Sequence, residues 1–155
     1  MERDDQTSAF LGPKPHWATA SIELSAIQGL WGGRNIYVAG PGRVVVKLVG
    51  SGMLERRYQF DLDAAEWTFL LAAFVEKEFL TIRPPERAGL PDEARPRISL
   101  VNAGGERHSV SKWAHVRDER FEGLYSRLIH LDKLALQLKP VYMGPYDDRA
   151  QPKPG

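Results

Sequence analysis

Histidines are the side chains in this chain of 155 residues best suited to chemistry, because imidazole binds metals and transfers protons near neutral pH. Two metal ligands on one helix face must lie three or four residues apart, and no two histidines here do. We interpret them as solvated or structural, and leave open a pairing of His115 with Asp118. The four are His16, His108, His115 and His130. The sequence therefore predicts no metal site.

Other catalytic patterns are equally incomplete. The chain has no cysteine, which excludes disulfides, thiolate metal sites and cysteine nucleophiles. Ser51 lies between two glycines, but it joins two predicted strands and lacks the strand-to-helix elbow of serine hydrolases. The carboxylates Asp61 and Asp63 are accounted for by a strand end and a helix cap. We predict no catalytic residue and no cofactor.

The charge balance and the hydropathy of the chain limit its partners. Lysine and arginine number 21 against 20 acidic residues, so the net charge of +1 gives no overall attraction to nucleic acid or anionic lipid. No apolar run approaches the length of a membrane span, and the polar first residues do not resemble a secretory signal. We expect a soluble cytoplasmic protein that does not enter a membrane.

Four predicted strands form the first part of the fold that would position any site. Polar and apolar residues alternate with the period of two that is typical of a half-buried strand, and glycine-rich turns such as Gly40-Pro41-Gly42 separate the segments. Consecutive strands with short links form an antiparallel meander. The four lie at residues 21–25, 36–38, 43–49 and 54–60.

Two helices and a second hairpin follow the meander. Asp63 and Glu66 have the spacing of a capping box, and apolar residues then recur at helical intervals. A long irregular loop spans residues 80–95, and two strands at 97–101 and 107–113 join through a turn with two glycines. An amphipathic helix begins near Asp118, and a proline ends it.

This order of elements predicts the fold class and the domain organisation. We expect an α+β fold with an antiparallel sheet of about six strands, in the order ββββ-α-ββ-α, and two helices packed on one face. Residues 1–18 are predicted to form an irregular N-terminal arm, residues 19–140 a single domain and residues 141–155 a flexible C-terminal tail.

The same order, with Ile36-Tyr37-Val38, the turn at Gly40-Pro41-Gly42, the cap at Asp63-Ala64-Ala65-Glu66 and Phe79, resembles an uncharacterised bacterial family known only as a domain of unknown function. The resemblance covers roughly residues 20–136 and implies no reaction. It implies two cysteines around the first glycine-rich loop, where this chain has Leu30 and Arg34. Any redox or metal role of such cysteines therefore does not transfer to this chain.

The remaining candidate sites are surfaces. Alternation along the strands gives the sheet a polar face opposite the helices, and antiparallel sheets commonly leave such a face in water. Lys47, Arg57 and Arg97 fall on this face, and Trp31 lies in a glycine-rich loop where a large aromatic has little local reason to be. We predict a non-enzymatic protein-interaction module in which these four residues contact a protein partner.

Two other functions stay open at this point. The first is an enzyme or small-ligand binder in which residues 83–95 act as a lid over catalytic groups from distant positions. The second is weak nucleic-acid binding by a local basic patch, which a strong salt dependence would reveal. The patch would draw on Arg56, Arg57, Arg97, Arg107 and Lys112.

Overall fold

The computed structural model describes residues 5–29 and 31–148 and has the α+β class that the sequence predicts. The described residues form one antiparallel sheet in the order β6-β5-β1-β2-β3-β4-β7. Its strands are β1 (Ser21–Gln28), β2 (Gly32–Ala39), β3 (Arg43–Val49), β4 (Leu54–Asp61), β5 (Arg97–Val101), β6 (Arg107–Ser111) and β7 (Tyr142–Pro145). The α-helices are α1 (Asp5–Leu11), α2 (Ala64–Glu76) and α3 (Glu119–Ala135), and none of these described helices could cross a membrane.

The sheet has seven strands rather than the six expected, and the helix arrangement also differs. Strand β7 lies in the segment assigned to the tail 141–155, and it pairs with β4 from Leu54 opposite Pro145 to Arg57 opposite Tyr142. Helix α1 and a 3₁₀ helix at Lys14–Thr19 occupy most of the segment assigned to the irregular arm 1–18. Without β7, strand β4 would end the sheet with unpaired backbone groups.

The core lies between one sheet face and helices α2 and α3. Because side chains alternate along a strand, every second residue of each central strand points to this side, and most of these residues are apolar. The helices return an apolar stripe that completes one continuous cluster. The sheet contributes Ile22, Leu24, Ile36, Val38, Val44, Val46, Ile98 and Leu100, and the helices contribute Trp67, Leu71, Phe74, Phe121, Leu124 and Leu128.

Side chains cap both long helices as the sequence predicts. In the capping box of α2, the Glu66 amide donates to the Asp63 carboxylate at 2.7 Å and the Asp63 amide donates to the Glu66 carboxylate at 3.1 Å. The Asp118 carboxylate accepts from the Phe121 amide at 2.9 Å at the start of α3. These bonds satisfy amides that a helix start leaves without partners, so both boundaries are fixed locally.

Residues 82–96 contain no helix or strand, but the loop is held in place. Arg87 donates two hydrogen bonds to the Glu93 carboxylate, at 2.9 and 2.6 Å. This guanidinium, with the amides of Leu90 and His115, holds the pKa of Glu93 well below its usual range. Gly89 lies so close to Trp113 that a Cβ would come within 2.5 Å of the ring. The loop therefore packs beyond the end of β6.

Candidate functional site

A group of charged and polar side chains lies on the sheet face opposite α2 and α3, here called the polar face. Lys47 of β3 is flanked by Asn35 of β2 and by Arg57 of β4, each directly opposite it in register. Glu55, two residues before Arg57, accepts from the Arg57 Nε at 2.7 Å. Strand alternation therefore brings two cations, one carboxylate and one amide together.

Residues 142–148, here called the strap, cross this part of the polar face. After β7 the Tyr146 amide donates to the Met53 carbonyl at 2.9 Å, and the Asn35 amide group donates to the Tyr146 hydroxyl at 2.9 Å. Lys47 Nζ donates to the Asp147 carbonyl at 2.6 Å, and the Asp147 amide donates to Glu55 at 2.9 Å. The strap thus meets the hydrogen-bonding groups of Lys47 and Glu55 with its own backbone, whereas the Arg57 Nη2 atom is buried without a hydrogen-bond partner among the described residues.

Aromatic rings complete the enclosure of the two cations. Lys47 Nζ lies 5.4 Å from the centroid of the Tyr37 ring and 5.8 Å from that of Tyr146. The Arg57 guanidinium lies 4.3 Å from the Tyr142 centroid. The negative faces of these rings attract cations, most strongly where water is excluded. The strap therefore supplies two aromatic faces as well as backbone groups.

Burial dominates the electrostatics of Lys47. Its side chain is 0% exposed, and this desolvation lowers the pKa of its ammonium although Glu55, Asp147 and Asp148 favour the charged form. Arg57 acts in the same direction as burial. Burial also disfavours the charged form of Tyr146, an acid, and therefore raises the pKa of its phenol. The ammonium of Lys47 is therefore stabilised by its hydrogen bond to the strap and by nearby carboxylates rather than by water.

The four predicted contact residues do not share one surface. Trp31 is 69% exposed, with its amide bonded to Gln28, and Arg97 is exposed on β5. Lys47 is fully buried and the Arg57 side chain is 13% exposed, because the strap covers both. Neither can therefore make a first contact with a partner while the strap is in place.

The part of the polar face on β1, β5 and β6 is not covered by the strap. Arg107 donates to the Glu23 carboxylate at 3.1 Å, and the Ser99 and Ser109 hydroxyls lie 2.7 Å apart. Ser109 is exposed although Ser99 is buried. This half presents the Ser109 hydroxyl and one partly solvated ion pair beside an outer strand of the sheet.

The structure also locates the residues of the two alternative functions. In the predicted basic patch, Lys112 is buried and donates to the Val116 carbonyl at 2.7 Å, whereas Arg56 points to the side opposite Arg57. The five cations therefore do not converge. Surface cavities of about 540, 790 and 900 Å³ have linings that do not include residues 83–95, so the loop does not roof any of these three.

Arg34 stands at one of the two positions where the family resemblance implies a cysteine. Arg34 forms an ion pair with Asp132 of α3 and donates to the Tyr125 hydroxyl at 3.1 Å. Burial raises the pKa of Asp132, and Arg34 opposes that rise. The Asp132 Oδ1 atom is buried without a hydrogen-bond partner among the described residues. The other position, Leu30, lies outside the described residues.

Sequence reasoning missed Asn35, Glu55 and Tyr146 as members of the cluster. The alternation that placed Lys47 on the polar face also places Glu55 there, so the same pattern could have identified Glu55. Asn35 lies just outside the strand predicted at 36–38, because β2 begins earlier than predicted. Nothing local to Tyr146 indicates that it folds back over a strand about a hundred residues earlier.

Comparison with models of known protein families and with the curated proteins gave no match. The resemblance to a bacterial family stays a prediction. Within residues 5–29 and 31–148, no three histidine or acidic side chains are grouped so that they could hold a metal ion.

In the wild type, the free energy of unfolding should increase with pH in the alkaline range, and replacing Lys47 with methionine should remove this increase. Burial places the folded-state pKa of Lys47 below its ordinary 10.5, so between these values the unfolded chain binds more protons and the free energy of unfolding increases with pH. Urea unfolding followed from neutral pH up to the ordinary lysine pKa of 10.5 should show the free energy of unfolding of the wild type rising with pH, by at most about 1.4 kcal/mol per pH unit from this group. Lys47→Met should flatten this slope, whereas the exposed control Lys139→Met should not. An unchanged slope in Lys47→Met would contradict the assignment.

Proposed function

We propose that this protein is a non-enzymatic interaction domain that takes up an extended segment of a partner protein along strand β6. Strand β6 ends the sheet beyond β5. The observation that carries the proposal is the row of backbone groups on its outer side. An unpaired strand edge is a template for another strand, and several families of peptide-binding domains use one.

The hydrogen-bond pattern identifies which groups face outward. The Lys112 backbone amide donates to the Pro96 carbonyl at 3.2 Å, and the Asn102 backbone amide donates to the Glu106 carbonyl at 2.9 Å. The even-numbered residues of β6 therefore bond to β5. Antiparallel pairing alternates inward and outward groups. The amide and carbonyl groups of Arg107, Ser109 and Ser111 therefore point away from the sheet.

The two edges of the sheet differ in a way that favours β6. Strand β7, at the other edge, has four residues and contains Pro145, which lacks an amide hydrogen. Proline and short length are devices that protect an edge from pairing. Strand β6 has five residues and no proline. Only one edge is thus built to exclude an added strand.

The surroundings of β6 indicate the chemistry of the partner segment. Arg97 and Arg107 are exposed on the polar face beside it, and Ser109 presents a hydroxyl between them. An added strand would place alternate side chains on this face. Acidic side chains at those positions would complement the two arginines. The partner is therefore an extended segment with acidic residues at every second position, met in the cytoplasm as the sequence predicts.

Ser109→Pro tests this proposal, with Ser109→Ala as its matched control. Both substitutions remove the hydroxyl that bonds to Ser99, but only proline removes the outward amide hydrogen. On an array of decapeptides with alternating acidic residues, the wild type and Ser109→Ala should bind alike. Ser109→Pro should lose about tenfold or more in affinity, because one backbone bond is lost and the ring blocks approach.

Circular dichroism and thermal melting should show that Ser109→Pro keeps the fold, since the lost amide hydrogen has no partner within the sheet. Equal peptide binding by Ser109→Pro and Ser109→Ala would contradict addition of a strand at β6. A wild type that binds no peptide of the array would contradict it as well.

A further inference from the structure

The cluster under the strap is more polar than a permanently covered surface requires. Lys47 and Glu55 are fully buried there, whereas the buried residues on the opposite face of the same strands, which the helices cover, are mainly apolar. Covering charged groups is expensive, and an apolar replacement is often neutral or stabilising. Charged groups at this place are therefore suited to a face that is also exposed to water, in a state in which the strap is released.

The strap is also attached lightly. Its strand has four residues and ends at Pro145, and beyond it Tyr146 and Asp147 make hydrogen bonds to the cluster. Met143 of the strap is 68% exposed, so its apolar side chain contributes little buried area. Segments with few buried apolar contacts open at a low free energy.

The contacts specify a chemistry rather than one particular segment. The face binds a phenol through Asn35, one backbone carbonyl through Lys47 and one backbone amide through Glu55. The charges of Asp147 and Asp148 both stabilise the ammonium of Lys47. Any extended segment with a tyrosine followed by two acidic residues offers the same groups.

We propose that the polar face around Lys47 and Asn35 is a second binding site, for a tyrosine-acidic segment of a partner protein, and that the chain's own strap occupies it until such a segment displaces it. Tyr146-Asp147-Asp148 is then an internal copy of the ligand. The site is independent of β6, since it uses β2, β3 and β4.

A labelled peptide that copies residues 141–148 tests the proposal on the full-length chain. Tyr146→Ala removes the phenol of the strap and leaves the receiving face intact, so it should bind the peptide at least tenfold more tightly than the wild type, whose face is occupied. Tyr146→Phe, which loses only the bond from Asn35, should lie between them. Fluorescence anisotropy measures all three.

Control experiments identify the site and the ligand groups. Adding Lys47→Met to Tyr146→Ala should abolish the gain, as should replacing the tyrosine before the two aspartates of the peptide with alanine. A peptide with both aspartates changed to asparagine should bind several-fold more weakly. Ser109→Pro should leave this binding unchanged, so failure at β6 and failure here are separate results.

Two outcomes would overturn the inference. Variants Tyr146→Ala and Tyr146→Phe that melt at lower temperature but bind the peptide no better than the wild type would make the strap a structural element only. A gain in binding that persists after Lys47→Met is added would place the peptide elsewhere on the molecule.

Discussion

Replacing Glu55 with alanine is expected to lower the free energy of unfolding by about 3–5 kcal/mol, the usual cost of removing one partner from a buried ion pair. The Glu55 carboxylate accepts from Arg57 Nε at 2.7 Å and from the Asp147 amide at 2.9 Å, and its side chain is 0% exposed. Its loss removes the carboxylate bonded to Arg57 and leaves the buried Lys47 with only the charges of Asp147 and Asp148 in its favour. Chemical denaturation at neutral pH measures the difference.

Glu86→Ala is the control for Glu55→Ala, because Glu86 is exposed in the loop, and its removal should change the free energy of unfolding by less than about 0.5 kcal/mol. Lys47→Met combined with Glu55→Leu should recover part of the loss, since the cost comes from an unpaired charge rather than from lost volume. A Glu55→Ala variant as stable as Glu86→Ala would show that water reaches the cluster freely, contrary to the burial described above.

Phe74→Ala in α2 should cost about 3–5 kcal/mol through the cavity that it leaves. The Phe74 side chain is 0% exposed, and its ring lies 5.0 Å from that of Phe79 in an edge-to-face contact. Phe79 in turn contacts His108 of β6, with centroids 5.5 Å apart. The cavity would therefore lie between the helix and the sheet. The lower free energy of unfolding should appear as a lower denaturation midpoint, while the dependence of that free energy on denaturant concentration stays unchanged.

Phe69 in the same helix provides the matched control. It is 65% exposed, and Arg127 lies 5.2 Å from its ring. Phe69→Ala removes the same atoms from the surface, so its effect should stay below about 1 kcal/mol. Equal losses at the two positions would contradict the single core between the helices and the sheet.

Much of this fold was predictable because its signals are local. The capping box at Asp63 and Glu66, the cap at Asp118 and the alternation along β1 to β4 each concern a few neighbouring residues, and the structure has all of them. The same alternation placed Lys47 and Arg57 on the polar face. Local patterns thus identified the face that carries the cluster.

What covers that face was not predictable, for a physical reason. Tyr142-Met143-Gly144-Pro145 has little strand propensity of its own, and it forms a strand because β4 offers an unpaired edge. The bond from Lys47 to the Asp147 carbonyl depends on where the backbone passes, not on the side chain at that position. Helix α1 was missed similarly, since its buried Leu11 packs into the assembled core.

The chain order of the sheet has a consequence for how the protein folds during synthesis. Strands β1 to β4 are neighbours in sequence and in space, so they can pair as they emerge, and β5 and β6 then extend the sheet beyond β1. Strand β7 is made after every other strand but belongs at the far edge beside β4. A nascent chain therefore carries Lys47, Glu55 and Arg57 hydrated until the last strand arrives, and water keeps this side of the intermediate from aggregating.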